Sequence, residues 1–258
     1  MAALQTVRRL SALLALSLLL VLPCAATLAQ SATPSAVSPA LPPSATVGGL
    51  SLADWTVRWQ QWSMSFPAAI NPLTDTTGER CAYGQSGPVF FLGLPPEEVD
   101  PSLPAAATRR CTVPLGVALF APVAVNECDN VSPPTVGADE TAQRACARGN
   151  INPGLSLILT KGVLSVDGHR VDLTPYRVTT PQFTLYFPPG NLPGIPSAVA
   201  TAVGDGFQAL LAPLPVGPHV VTIATPHRRG TFTVTYQLTV AAPTSPGPAA
   251  SPVASPGT

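Results

Sequence analysis

Four residues with side-chain oxygens flank Cys128 in the sequence. They form the cluster of this sequence that most suggests a binding or catalytic site. Asn126, Glu127, Asp129 and Asn130 follow a predicted apolar strand, so we expect them to lie in a loop. Carboxylate and amide oxygens at this density are typical ligands of Ca²⁺. The spacing differs from that of an EF-hand, and a polar loop beside a disulfide explains the pattern equally well. The sequence thus predicts a calcium loop or an ordinary polar loop, and no other cofactor.

Glu127 and Asp129 also supply the minimum chemistry for a hydrolase. Two carboxyl groups suffice for glycoside hydrolysis once the fold brings them within about 5–10 Å, because one donates a proton while the other acts as base or nucleophile. This pair is therefore the basis of an enzymatic alternative.

The stretch Gly84–Pro88 resembles part of a serine-protease nucleophile loop, with Ser86 at its centre. Proline stands where the G-x-S-x-G elbow needs its second glycine. The general-base histidine of such proteases precedes the serine, whereas all three histidines follow it here, and they lack metal-ligand spacing. These are His169, His219 and His227. We expect Ser86 to be a turn residue and the last two histidines to lie at the surface or at a strand edge.

An amphipathic helix opens the predicted domain. Ser51 and Asp54 have the spacing of a capping box. Apolar side chains then recur at steps of three and four, which places them on one helix face. They are Leu52, Trp55, Trp59, Trp62 and Phe66. A stacking platform for sugar rings is one interpretation of this stripe, but packing against a sheet is favoured because amphipathic helices bury their apolar face.

Short β runs separated by turn signals dominate after residue 80. In the clearest, 231–240, apolar residues alternate with threonine and glutamine, and Asp167–Gly168 marks a tight hairpin. A second helix is expected over 139–148, a strand over 155–160 and a loop over 188–205. Many short strands with few crossover helices predict a mainly-β fold. It would be an antiparallel β-sandwich or jelly roll with an N-terminal amphipathic helix and one short extra helix.

Four cysteines fall within the predicted domain, and three pairings are possible. Pairing Cys111 with Cys128 is difficult, because the intervening strand separates them by about 30 Å, whereas a bridge needs α-carbons within about 7 Å. We expect Cys81–Cys111 and Cys128–Cys146, each stabilising the fold by about 2–4 kcal/mol. A zinc site is the alternative, but the sequence has no C-x-x-C pair.

Residues 1–29 have the pattern of a cleavable signal peptide. Two arginines precede an apolar run over 10–22, and Pro23 and small residues follow, up to Ala29. Cleavage after Ala29 would leave Gln30 as the mature N-terminus. An uncleaved anchor helix and lipidation of Cys24 are the alternatives. Pro23 and the small residues after it favour cleavage over an anchor helix. Pro23 also argues against lipidation, because a lipidated cysteine needs a small residue before it.

Charge and composition narrow the possible partners. Without the signal peptide, 11 basic residues remain against 13 acidic ones, and no basic patch is visible, so nucleic-acid binding is not expected. No later segment is apolar and long enough to span a membrane. Residues 30–47 and 242–258 consist almost wholly of Ala, Pro, Ser, Thr, Gly and Val, which predicts disordered spacers around one domain at 48–241.

Several stretches resemble a group of secreted bacterial proteins to which no activity is assigned. They are LADWTVRWQQW, DTTGERCAYGQSGPVFFLGL, CTVPLGVALFAPVAVNEC, LLAPLPVGPHVV and FTVTYQLTV. The resemblance covers most of residues 50–240 and departs at Val117–Ala118, where we expect a lysine. It implies an extracytoplasmic bacterial protein and carries over no functional residue.

The function expected from the sequence is that of a non-catalytic extracytoplasmic module that binds a ligand or associates with the cell envelope, with possible glycan contact. The motivating features are many strands, paired cysteines and no coherent catalytic set. The alternative is a secreted hydrolase built on Glu127 and Asp129, with glycosides as its candidate substrates.

Overall fold

The structure is a computed structural model that describes residues 38–95, 105–133, 137–227 and 230–242. The predicted signal peptide, including Cys24, lies outside the described residues, as do residues 30–37 and 243–258 of the predicted spacers. None of the described helices has both the length and the hydropathy needed to cross a bilayer.

The described residues form three helices and ten strands, and strands predominate. The helices are α1 (Leu52–Met64), α2 (Glu140–Ile151) and α3 (Leu155–Lys161). The strands are β1 (Val89–Phe91), β2 (Ala106–Pro114), β3 (Ala118–Asp129), β4 (Val163–Val166), β5 (His169–Arg170), β6 (Arg177–Thr179), β7 (Phe183–Phe187), β8 (Ala198–Leu211), β9 (Gly217–His227) and β10 (Gly230–Ala241). Short 3-10 turns lie at Ala68–Ile70, Pro72–Thr74, Asn152–Gly154 and Thr174–Tyr176.

The strands form two sheets. The first has the order β1-β3-β8-β6, with β7 also paired to β8, and the second has the order β2-β10-β9-β4-β5. Most pairings are antiparallel, but β1 runs parallel to β3 and β2 runs parallel to β10. The mainly-β, sandwich-like prediction is confirmed, with these two parallel pairings as departures from it.

Helix α1 forms where the sequence predicts it and begins at the predicted capping box. The Ser51 hydroxyl accepts the amide hydrogen of Asp54, and the Asp54 carboxylate accepts the Ser51 amide hydrogen. The tryptophan stripe packs into the core, where Trp59 stacks on Phe120 with ring centroids 5.9 Å apart. A smaller apolar cluster lies beside it and joins β7 and β8 to Val57 and Met64 of α1.

Two local predictions are wrong. Residues 155–160, expected as a strand, form helix α3, which follows α2 after one 3-10 turn. The expected loop at 188–205 ends early, because β8 begins at Ala198. In both places the sequence signal is weak: a short apolar run suits either a helix or a strand, and β8 opens with small residues and glycines of low strand propensity.

Part of the predicted N-terminal spacer belongs to the domain. Ala40 is buried and forms a β-bridge with Leu211, and the Leu41 amide donates to the Leu210 carbonyl. The Tyr176 hydroxyl donates to the carbonyl of Leu41 at 2.9 Å. Proline and alanine therefore do not by themselves exclude residues 38–47 from the core.

Two disulfides link strands to their surroundings in the pairs expected from the sequence. Cys81 bonds to Cys111 of β2, with α-carbons 5.8 Å apart. Cys128 of β3 bonds to Cys146 of α2, with α-carbons 6.0 Å apart. The first fixes the loop before β1 to the second sheet, and the other fixes α2 to the first sheet.

Candidate functional site

The oxygen-rich run around Cys128 forms the end of strand β3, so the prediction that it lies in a loop is wrong. Asn126, Glu127 and Asp129 pair in register with Asp205, Gly204 and Ala202 of β8. Side chains alternate between the faces of a strand. Glu127 and Asp129 therefore share one face of the first sheet, while Asn126 points to the opposite face.

The two asparagines of this run are used by the fold itself. The Asn126 side-chain oxygen accepts a hydrogen bond from Asn150 of α2 at 2.8 Å. The Asn130 side-chain oxygen accepts the amide hydrogen of Thr201 at 3.0 Å. The four predicted ligands therefore do not converge on one point.

Glu127 and Asp129 form a carboxyl pair in which Asp129 is buried and Glu127 is half-buried. Asp129 is fully buried, and its Oδ1 accepts the amide hydrogens of Val131 and Ser132 at 2.6 Å each. Asp129 Oδ2 and Glu127 Oε2 are buried and have no hydrogen-bond partner among the described residues. Burial, followed by the nearby Asp129 carboxylate, raises the pKa of Glu127 to about 8. Glu127 is therefore protonated at neutral pH.

No three His, Cys, Asp or Glu side chains within the described ranges are grouped so that they could hold a metal ion. Calcium binding near Asp129 stays a prediction from the sequence, now limited to one carboxyl pair.

Among the described residues, Ser86 and the three histidines do not form a catalytic arrangement with one another. Ser86 is exposed in the turn before β1. His219 lies at the start of β9, where its Nδ1 is 2.7 Å from Asp167 Oδ2 and its Nε2 is 3.0 Å from the Pro215 carbonyl oxygen. Both ring nitrogens are occupied, so His219 has none left to act as a base. His169 is exposed and His227 is half-buried.

The tryptophan rings offer little surface to a ligand. Trp55, Trp59 and Trp62 are 5%, 4% and 7% exposed. Each indole N–H donates to a backbone carbonyl oxygen of the chain. A shallow groove of about 550 Å³ runs beside α1, but Trp55 and Trp62, which line it, are buried, and polar groups such as Arg58 line it as well. The stripe is therefore a packing surface, and a sugar-stacking platform is not formed.

A second groove, of about 630 Å³, lies on the outer face of the second sheet. We call this surface the polar sheet face and define it by the side chains of Arg110 and Thr112 on β2, Gln237 and Thr239 on β10, and Pro218 and Val220 on β9. All six residues are exposed. Register places them in two rows, Arg110–Gln237–Val220 and Thr112–Thr239–Pro218.

The polar side chains of this face have spare hydrogen-bonding capacity. In the part of the chain that the structure describes, no side-chain hydrogen bond or ion pair involves Arg110, Thr112, Gln237 or Thr239. Their backbones are held by the sheet, and the Arg110 amide also donates to the Thr77 carbonyl oxygen at 2.9 Å. The face is thus a rigid array whose polar groups are satisfied only by solvent or by a ligand.

No family model, curated protein or solved structure matches this chain.

Sequence analysis missed the polar sheet face, although part of its signal is visible. The alternation of β10 places Gln237 and Thr239 on the solvent side. Their neighbours, Arg110 and Thr112, follow only from the parallel pairing of β2 with β10, two strands more than 100 residues apart in the sequence. No local pattern predicts such a pairing.

Besides Arg110, the ionisable residues that line the groove are Asp167 and His219, which contact each other. Burial of Asp167 opposes ionisation, yet hydrogen bonds from His219 and from the Val220 amide lower its pKa. Burial also opposes the charge on His219, yet its bond to Asp167 raises its pKa. Asp167 and His219 therefore bond to each other, and Arg110 is the charged residue of the groove lining that has no such partner among the described residues.

Proposed function

We propose that this chain is a non-catalytic extracytoplasmic binding module, and that its ligand occupies the polar sheet face. The observation that carries the proposal is the set of exposed, unpartnered polar side chains on two registered strands, Arg110, Thr112, Gln237 and Thr239. The sheet presents these groups on an ordered backbone, so the loss of conformational entropy on binding is confined to the side chains.

The extracytoplasmic location rests on the cysteines and on the N-terminus. Disulfides persist in oxidising compartments, and two are present. The signal-peptide pattern and the resemblance to secreted bacterial proteins point the same way. N-terminal mass spectrometry of the exported protein should find Gln30; a lipidated Cys24 would instead place the protein on a membrane.

A binding assay tests the module directly. The purified chain is incubated with insoluble polysaccharides and cell-wall preparations, and the pelleted fraction is measured. We expect Gln237→Ala and Thr239→Ala to lower that fraction several-fold. Thr184→Ala is the matched control, because Thr184 is an exposed threonine of β7 in the other sheet. Equal binding by all four proteins, or no pelleting of the unaltered chain, would reject the proposal.

A secreted hydrolase is the second candidate, and one observation favours it. With a pKa raised by burial to about 8, Glu127 carries a proton at neutral pH, as a general acid must. Against it, Asp129 is fully buried, and neither groove described above is lined by the pair. Release of reducing sugar by the chain, abolished in Glu127→Gln, would establish this candidate in place of the binding module.

A further inference from the structure

The polar sheet face carries a charge that the fold does not use. Arg110 is exposed beside Gln237, its register partner, and within the described ranges no carboxylate lies within 4 Å of its guanidinium. The acidic residue of the groove, Asp167, is already bonded to His219. The groove therefore offers one free guanidinium, which forms strong bidentate hydrogen bonds with carboxylates.

The groups around Arg110 suit hydroxyls rather than a second charge. Thr112 and Thr239 are register partners, and each hydroxyl both donates and accepts hydrogen bonds. The Gln237 amide lies beside Arg110 in the neighbouring row and also both donates and accepts hydrogen bonds. Neighbouring strands lie about 4.8 Å apart and alternate residues about 6.7 Å apart. A sugar ring bearing a carboxylate and hydroxyls spans these distances.

We propose that the ligand of the polar sheet face is an acidic polysaccharide, whose carboxylates pair with Arg110 and whose hydroxyls bond to Gln237, Thr112 and Thr239. This inference rests on the proposed function, and it names the chemical class of the ligand for the same surface.

Charge complementarity favours this ligand over other polyanions. Nucleic acids and polyphosphates carry a dense row of charges and need several basic residues to neutralise them, whereas this groove supplies a single unpaired cation. Uronate-containing chains carry at most one carboxylate per sugar. Without residues 1–29 the chain has 11 basic and 13 acidic residues, so general attraction to a polyanion is absent and binding must depend on the local site.

The experiment compares one polymer with and without its carboxylates. The mature chain is run in affinity electrophoresis through gels that contain polygalacturonate or its carboxyl-reduced derivative, in buffer free of divalent cations. We expect retardation only by the acidic polymer, weakened by added salt, and a loss of affinity of about tenfold in Arg110→Gln. Arg58→Gln is the matched control, since Arg58 is an exposed arginine in the other groove; it should bind as the unaltered chain does.

Three outcomes would overturn the inference: equal retardation by both polymers, no retardation by either, or equal loss in the two arginine variants. The first leaves the binding module intact and rejects only the acidic ligand. If neither polymer retards the chain, the pelleting assay above decides. Binding to a neutral polysaccharide in that assay would again reject only the acidic ligand and leave the proposed binding module intact. Thermal unfolding of Arg110→Gln serves as a folding check, and an unchanged Tm ties a lost affinity to the side chain.

Discussion

Arg109 and Tyr236 face each other across the parallel pairing of β2 and β10, and the guanidinium donates a 2.7 Å hydrogen bond to the phenol oxygen. Arg109 is 2% exposed and donates further hydrogen bonds to the carbonyl oxygens of Gly93 and Leu73. No carboxylate lies within 4 Å of it among the described residues. A buried cation is therefore held by neutral oxygens alone, one of which comes from the last strand of the domain.

Tyr236→Phe should destabilise the domain by about 1–3 kcal/mol, because a buried guanidinium then loses an acceptor without gaining water. Urea unfolding followed by circular dichroism measures the change. Tyr186→Phe, at an exposed position of β7, is the control and should change the free energy of unfolding little. Equal stability of both variants would show that the Tyr236 hydroxyl is dispensable.

Glu127→Gln should remove a pH dependence of stability. In the folded state burial and Asp129 hold the pKa of Glu127 near 8, against an ordinary value of 4.5. The folded protein therefore binds the extra proton between these values, and its stability falls as pH rises from about 4.5 to about 8. Glutamine resembles the neutral acid, so the variant should match the unaltered protein at pH 4 and exceed its Tm at pH 8. Glu79→Gln, at an exposed acidic residue, should leave the pH profile unchanged; a similar change in both variants would contradict the assignment.

His219→Gln should destabilise the protein more at pH 5.5 than at pH 9. Although burial opposes the charge on His219, the bond to Asp167 raises its pKa above 6.5, so the stabilisation is complete below about pH 6.5 and is lost as pH rises through the folded-state pKa. The pKa of Asp167 is lowered below 3.8, so its share is lost only as pH falls through that lower value. Because the pair is partly exposed, we expect the variant to lose about 0.5–1 kcal/mol of unfolding free energy at pH 5.5. A loss of stability that does not depend on pH would assign the effect to packing. His169→Gln, an exposed control on β5, should have a smaller effect.

Replacing Cys128 and Cys146 together by alanine should cost about 2–4 kcal/mol, because the bridge no longer limits the unfolded chain. It should also loosen α2, which the bridge fixes to β3. Hydrogen exchange of α2 amides and urea unfolding measure the two effects. Peptide mapping without reductant is the companion measurement, and a peptide joining Cys81 to Cys128 would disprove the assigned pairing.

The sequence predicts well those elements that are specified by a local pattern of residues, within one helix, strand or turn. The Leu52–Trp62 stripe begins at a capping box and specifies α1. The alternation of 231–240 specifies β10, and Asp167–Gly168 specifies the β4–β5 turn, where both residues adopt positive φ.

The sequence predicts poorly those elements whose conformation depends on contacts with residues far away in the chain. The small residues that open β8 are required by its neighbour: a Cβ on Gly206 would lie 2.1 Å from the Ala124 carbonyl oxygen. Glu127 and Asp129 belong to a strand only because β8 pairs with them. The candidate site depends on the same kind of information, since Arg110 meets Gln237 through a pairing that local sequence does not encode.

The position of β10 limits when the domain can form. This strand, the last among the described residues, lies inside its sheet, between β2 and β9, and supplies Tyr236 to the interior. Until residues 230–241 have been synthesised, β2 lacks the strand it pairs with, and the Arg109 guanidinium lacks the Tyr236 hydroxyl as an acceptor. Completion of the second sheet must therefore wait for residues 230–241, and long-range parallel pairing is slow to form.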